Sequence, residues 1–559
     1  MSPGTGVRSS TLERALVISG ALAALATAAL LDLDLVRLKR QVSYVEPSGI
    51  EKALVLCYAY SAYLPLCLPL GLLAATARRW RRGTAWLRRS VLLVGAVPIA
   101  FALAGLAAEG TVEEDARSDL RSTTAADLNV VLIVVDTLRA DHLGAYGHPA
   151  RTSPFMDSLA SDGVRFSRCH APASWTKPSV ASILTSLHPG QHGALHFTQK
   201  LPEEVTTVAE LMEEAGFVTY GYVANPNLKT IFNFDQGFQV YDDALMRDRL
   251  SQATLRALPL ASTAMSRLSG RRFTSRDNEN AEIALGRILP WLERHHRQDL
   301  FMYLHLMDPH APYDPPAPYD SMFGGTGSGR HQEDTRLYEG EIRYVDAQLE
   351  VLFKAFERLG IADKTLFVIT SDHGEAFGEH GDWGHDHTVY QEQIHVPLIL
   401  RYARERWAGE VVESTVRSLD IAPTILDYAG IEVPGVMAGQ SLRRAFEDSR
   451  DLDVFIDHYS ARDDHRLTAI VAEGRYKYIR TLKSELRDID REGDEELYDL
   501  REDPAEIDNL ASQRPDLVRS LRSRLQEHER DSARALGKPP PLQLDAKTSE
   551  QLRVLGYID

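Results

Sequence analysis

Three runs in this chain stop in the same way. NVVLIVVD (129–136), LFMYLHLMDPH (300–310) and TLFVITSDH (365–373) are short apolar segments that end on carboxylate or imidazole side chains. Uninterrupted apolar runs rich in β-branched residues fit strands buried on both faces, and such strands belong to parallel sheets covered by helices. Helical patterns lie between them. TVAELMEEAGF stops at Gly216, and TRLYEGEIRYVDAQLEVLFKAFERLG puts Ile342, Val345, Leu349, Leu352 and Phe356 on one face with Gly360 past its end. Alternating strand and helix predicts an α/β fold, a three-layer sandwich around a mostly parallel central sheet. Ligands in such sheets bind beyond the carboxyl ends of the strands. Asp136, Asp372 and His373 fall there, with His305, Asp308 and His310 expected just beyond the third strand.

Charge separates the N-terminus from the rest. Residues 1–110 hold 12 basic and 6 acidic residues, so the remainder carries −23 of a whole-chain −17. An acidic domain of that kind excludes nucleic acid as a partner, because polyphosphate is bound through clustered Lys and Arg. Apolar runs at 15–31, 53–77 and 90–108 carry no internal charge, and each is near the ~20 residues that cross a bilayer. The first alone also suits a signal-peptide core; with two more behind it, three transmembrane helices are expected. Six arginines, Arg78, Arg79, Arg81, Arg82, Arg88 and Arg89, lie between the second and third runs and mark that loop as cytoplasmic. The expectation is a multi-pass cell-membrane protein with its large domain extracytoplasmic, periplasmic or extracellular.

The domain plan is a membrane region 1–110, a polar linker 111–128, a catalytic domain 129–450 and a C-terminal subdomain 451–559. In the last, shorter alternating runs predict a small antiparallel sheet with a helix near 516–530. The three cysteines, Cys57, Cys67 and Cys169, offer no disulfide framework, and Cys169 reads as a small buried side chain.

Two aspartates, a histidine and a hydroxyl suffice for a metal site. Asp136, Asp372 and His373 supply oxygen and nitrogen ligands, and Thr176, in SWTKPSVA, offers its Oγ at the open position. A divalent cation there lowers the hydroxyl pKa and neutralises charge on a tetrahedral ester, so a threonine becomes a usable nucleophile.

Six segments in order, NVVLIVVDTLRADHLGAYG, SWTKPSVASILTSLHPGQHG, LHLMDPHAPYDPP, TSDHGEAFGEHGDWGHDHTVYQEQIHVPLIL, SLDIAPTILDYAGI and ELYDLREDPAEIDNLA, make residues 129–559 resemble the sulfatase family of the alkaline phosphatase superfamily. The resemblance implies an alkaline phosphatase-like sandwich, metal ligands at Asp136, Asp372 and His373, and Thr176 as nucleophile at a helix N-terminus. It further implies that His310 binds the ester oxygens or protonates the leaving group. His385 resembles a second imidazole on the substrate side or a ligand for a second metal, and His387 is a neighbouring candidate.

Three departures from the family pattern carry chemistry. Cys or Ser in a C/S-x-P-x-R segment is replaced by Thr176, with Val180 at the arginine; Asp-Asp becomes Asp136-Thr137; Asp-Asn becomes Asp372-His373. Exchanging a carboxylate for an imidazole favours zinc or manganese over calcium or magnesium. A formylglycine hydrate releases sulfate by breaking its own carbon–oxygen bond, a route closed to threonine. An ester on Thr176 must be cleared by a second in-line attack, which suits phosphoryl chemistry. The threonine and histidine also resemble membrane-anchored phosphoethanolamine transferases and lipoteichoic acid synthases, which implies a lipid or envelope glycan ester as substrate.

Two other readings stay open: a sulfuric ester hydrolase with an unmodified nucleophile, and a non-catalytic module that binds an envelope glycan. Outside the site, Lys177 reads as a solvated neighbour of Thr176. Lys477 reads as a residue of a half-exposed strand within reach of the site, and His295-His296 as partners of a helix C-terminus.

Overall fold

The computed structural model describes residues 126–243, 280–324, 330–405, 408–447, 451–460, 465–483 and 494–532, together with Thr123, Leu544, Thr548, Ser549, Leu552 and Arg553. The apolar runs at 15–31, 53–77 and 90–108 lie outside these residues, as does most of the 111–128 linker. Among the described residues no helix is long and apolar enough to cross a membrane.

The strands are β1 Asn129–Val135, β2 Val164–His170, β3 Val218–Val223, β4 Val240–Asp242, β5 Leu300–Leu306, β6 Thr365–Thr370, β7 Ala376–Phe377, β8 Trp383–Gly384, β9 His395–Arg401, β10 Glu410–Arg417, β11 Val454–Tyr459, β12 Arg466–Ala472, β13 Tyr476–Lys483 and β14 Glu495–Asp499. The principal helices are α1 Pro154–Asp162, α2 Thr176–Thr185, α3 Val208–Glu214, α4 Ala281–His295, α5 Arg330–Arg358, α6 Ile421–Ala429 and α7 Pro515–Ser532. An eight-stranded sheet runs in the order β10-β2-β9-β6-β1-β5-β3-β4. All its strands share one direction except β9, which is antiparallel to both β2 and β6.

Alternate residues of β1 feed two different cores, as two-sided burial requires. Val130, Leu132 and Val134 pack with Val180, Ile183 and Leu184 of α2, Met212 of α3 and Ile425 of α6. Val131, Ile133 and Val135 pack with Leu159 of α1, Ile288 of α4 and α5. Ile342, Val345, Leu349, Leu352 and Phe356, the stripe read from sequence, all lie in this second core. Gly216 and Gly360 end α3 and α5 at positive φ (91° and 71°), a region an L side chain rarely adopts. The result is the expected three-layer sandwich.

The C-terminal residues form the predicted antiparallel sheet, β11-β12-β13-β14, with α7 packed on it through Val518, Leu521 and Leu525. The sheet meets the segment leading to Thr176. Asp457 N donates to Pro172 O (3.0 Å), and Trp175 Nε1 donates to Tyr459 O (2.7 Å).

Two lysines depart from their sequence reading. Lys477 is fully buried in β13, and its ammonium pairs with buried Glu506 at 2.7 Å, so it is neither half-exposed nor a ligand of the site. Lys177 is also fully buried; its Nζ donates to the carbonyls of Phe197 (2.7 Å), Gln199 (3.1 Å) and His196 (3.4 Å) and lies 3.4 Å from the centre of the Phe232 ring. Carbonyl oxygens and an aromatic face stand in for water around it, and burial drives its pKa well below the ordinary lysine value. Cys169 is buried, as expected, and His295 bonds through Nδ1 to Trp291 O at the end of α4.

Breaking a buried ion pair strands the surviving charge, at a cost of about 3–5 kcal/mol. Lys477→Ala should therefore lower stability by about that amount in denaturant unfolding. The paired change Lys477→Met with Glu506→Leu should recover most of the loss.

Candidate active site

Register brings the two aspartates together. β1 and β6 are parallel neighbours, and the alignment of Val134 with Thr370, continued past the strand ends, sets Asp136 beside Asp372. β5, on the other side of β1, aligns His305 with Val134. His305 is thus a residue of the strand itself and not beyond it, and its buried ring points at the carboxylates, with Nε2 3.5 Å from Asp372 Oδ2 and 3.9 Å from Asp136 Oδ2. Asp308, expected at the site, instead accepts from the backbone N of Ala281 (2.8 Å) at the start of α4.

The lone pairs of this site converge. His373 Nδ1 is 2.9 Å from Gly374 O, an oxygen that can only accept, so Nδ1 carries the proton and Nε2 presents a lone pair. That lone pair faces Asp136 Oδ1 and Asp372 Oδ2, both at 3.6 Å, and Thr176 Oγ1 at 3.3 Å. Asp136 Oδ1 and Asp372 Oδ2 accept no hydrogen bond among the described residues, and both side chains are fully buried. Two orphaned carboxylate oxygens and an imidazole lone pair in a dry pocket repel one another unless a cation or proton lies between them. The three ligating atoms lie within 4.8 Å of one another, which fits a divalent ion.

Protonation follows the same logic. Burial, then the Asp372 charge, pushes the Asp136 carboxyl well above the usual range. Burial would raise Asp372 too, but positive charge on His373 when its Nε2 takes a proton in place of a metal, and then the His305 ring and the Thr137 amide, hold Asp372 below its ordinary value. Without metal, the pair therefore keeps its proton on Asp136.

Thr176 is the first residue of α2, and the cap position belongs to Trp175, whose extended backbone turns into the helix. The Thr176 hydroxyl is consequently not a helix cap. It accepts from Asn225 Nδ2 (3.2 Å), which also donates to Asp136 Oδ2 (2.7 Å), and its own proton can be donated to His373 Nε2. Thr137, where the family pattern has a second carboxylate, adopts φ +58°, a strained setting for a β-branched residue. It is held by Tyr338, whose hydroxyl donates to Thr137 O (2.8 Å) and accepts from Arg139 N (2.9 Å).

A second group of imidazoles adjoins the Asp136–Asp372–His373 cluster. The His385 ring centre lies 4.5 Å from that of His373 and 5.0 Å from that of His310, and His385 Nδ1 is 3.0 Å from Glu375 Oε1. His310 Nδ1 donates to Ala311 O (2.6 Å), which leaves Nε2 unprotonated; burial and then His385 lower its pKa to about 3. His310 therefore rests as a neutral acceptor. His387 is held by Asp382, with Nδ1 3.1 Å from Oδ1.

Sequence reasoning missed Asn225 and Glu375 as members of this site. Asn225 had a weaker signal, since it lies two residues past the end of β3, on the side of the sheet where Asp136 directly follows β1.

A sulfatase family model matches residues 128–431, and a model of the C-terminal part of N-sulphoglucosamine sulphohydrolase matches residues 378–531. An arylsulfatase of Clostridium perfringens is 24% identical over 449 residues, covering 68% of this chain and 90% of its own length. An N-acetylglucosamine-6-O-sulfatase of Bacteroides thetaiotaomicron is 22% identical over 465 residues, covering 68% and 82%. The crystal structure of a phosphonate monoester hydrolase of Agrobacterium radiobacter shares the fold, with a TM-score of 0.58, 21% identity, and 75% of this chain and 100% of the other covered.

A carboxyl whose folded pKa is raised lends stability in acid that is lost as pH climbs through that raised value. In chelator, the thermal midpoint should fall as pH rises above the ordinary carboxylate range. Asp136→Asn should abolish the fall, and a saturating divalent ion should offset it in the parent chain. Asn225→Ala removes a donor to the Thr176 oxygen and should lower kcat on an aryl ester by about 10²–10³-fold, measured at saturating metal.

Proposed function

For this chain, which belongs to the sulfatase family and is an ester hydrolase of that kind, we propose a covalent mechanism in which Thr176 attacks an anionic ester and carries the transferred group on Oγ1. The supporting observation is the position of that oxygen, 3.3 Å from His373 Nε2 and 3.2 Å from Asn225 Nδ2 at the first turn of α2. Asp136, Asp372 and His373 would hold a divalent ion, zinc or manganese by ligand type, which when bound supplies charge neutralisation and a lower hydroxyl pKa.

The residues divide the remaining work. Asn225 fixes the Thr176 oxygen, and the amides at the start of α2 face the anionic ester. As the Oγ1–phosphorus bond forms, the bond to the leaving oxygen breaks; the proton lost by Thr176 ends on that oxygen, with His310 Nε2 as the relay we assign. Glu375 orients His385 beside it. A second in-line attack, by water or by an acceptor alcohol, then restores Thr176.

The chemistry of threonine favours phosphoryl esters, since it cannot follow the carbon–oxygen cleavage open to a formylglycine hydrate. The apolar runs at 15–31, 53–77 and 90–108 support a membrane-anchored enzyme with an extracytoplasmic active domain acting on a lipid or envelope glycan ester. A sulfuric ester hydrolase that uses the same unmodified hydroxyl is the second reading, favoured by relatives that are named as sulfatases.

Peptide mass analysis of protein quenched during turnover should find a phosphate-sized or phosphoester-sized addition on the Thr176 peptide. Thr176→Ala should lack it and lose at least about 10³-fold in kcat. Paired aryl phosphate and aryl sulfate assays decide between the readings: faster turnover of the sulfate would overturn the phosphoryl preference.

A further inference from the structure

A second set of metal-ligand atoms lies outside the active site. His142 follows β1, and His148 comes six residues later, after a turn through Gly147 at φ +97°, a conformation that glycine adopts without strain. The turn folds the second ring onto the first, with centres 5.0 Å apart and planes inclined by 27°. Glu339, from α5, closes the group: its Oε1 is 3.2 Å from His148 Nε2 and 3.7 Å from His142 Nδ1. The three ligating atoms lie within 4.8 Å of one another.

We propose that His142, His148 and Glu339 bind a divalent transition-metal ion, zinc by preference, that fastens the segment after β1 to α5. Four-coordinate zinc holds nitrogen and oxygen ligands at about 2.0–2.2 Å, so they stand roughly 3.3–3.5 Å apart, close to the separations seen here. Neither His142 Nδ1 nor His148 Nε2 makes a hydrogen bond among the described residues, although both atoms are buried. One bound ion would satisfy both buried nitrogens and the Glu339 oxygen together. The set of two imidazoles and a carboxylate is a zinc donor set with a position left for water.

Arg139, whose charge acts on His142, is itself paired with Asp141 (2.7 Å) and Glu379 (2.8 Å). Burial and then Arg139 keep the His142 pKa at about 4, so the ring is neutral and its lone pair available at physiological pH. None of these ligands belongs to the Asp136–Asp372–His373 group. The two are linked through Tyr338, which adjoins Glu339 and holds the strained Thr137 beside Asp136.

The test uses the full chain carrying Asp136→Asn, which disables the first site, stripped with chelator and titrated with Co²⁺ and then Zn²⁺. The expected result is one tightly bound equivalent with a tetrahedral cobalt absorption, displaced by zinc. Adding His148→Ala or Glu339→Gln should weaken binding by on the order of 100-fold. Circular dichroism of the stripped proteins should be unchanged by Glu339→Gln, the milder variant, which serves if His148→Ala misfolds. Absence of a tight equivalent, or equal binding with and without Glu339→Gln, would overturn the proposal.

Discussion

Two fully buried carboxylates at the carboxyl ends of two central strands of a mostly parallel sheet set the terms for everything around them. Asp136 and Asp372 are adjacent because β1 and β6 are parallel neighbours in a register that aligns Val134 with Thr370. Packing fixes that register, since a one-residue slip would turn every alternate side chain of β1 from one core to the other. The hydrophobic cores therefore hold two like charges together, and the charges in turn require a proton or a cation. Asn225, His305 and His373 all converge on this need.

The helix carrying Thr176 answers to the same geometry. Val180, Ile183 and Leu184 seat α2 on the core that also contains Val130, Leu132 and Val134, so its first residue meets the strand ends. The C-terminal sheet adds a restraint from outside, because Asp457 and Tyr459 bond to Pro172 and Trp175 just before the helix begins. A hydroxyl positioned from both sides needs little movement to meet a bound ester, which, on the proposed mechanism, is where much of the catalytic advantage would arise.

Most of this architecture was legible in the sequence because burial on both faces leaves an unmistakable trace, a strand without polar interruptions that ends on functional side chains. Asp136, Asp372 and His373 follow from that trace, and the stripe from Ile342 to Phe356 follows from helical periodicity. Thr176 was read as the hydroxyl of that constellation, His310 and His385 came from resemblance to the family, and the structure gathers all three around Asp136, Asp372 and His373. Lys177 and Lys477 were misread for one reason: a lysine is expected in water, and only tertiary contacts reveal carbonyls, an aromatic ring or a buried glutamate in its place. His142, His148 and Glu339 were invisible because nothing in a chain announces that residues almost two hundred apart will share a corner.

Anomalous diffraction from crystals of the full chain grown with zinc or manganese tests the central claim most directly. The account requires a peak among Asp136, Asp372 and His373, with Thr176 Oγ1 within bonding reach. A pocket without a peak, in which the two carboxylates share a proton and His373 bonds to Thr176 alone, would contradict it.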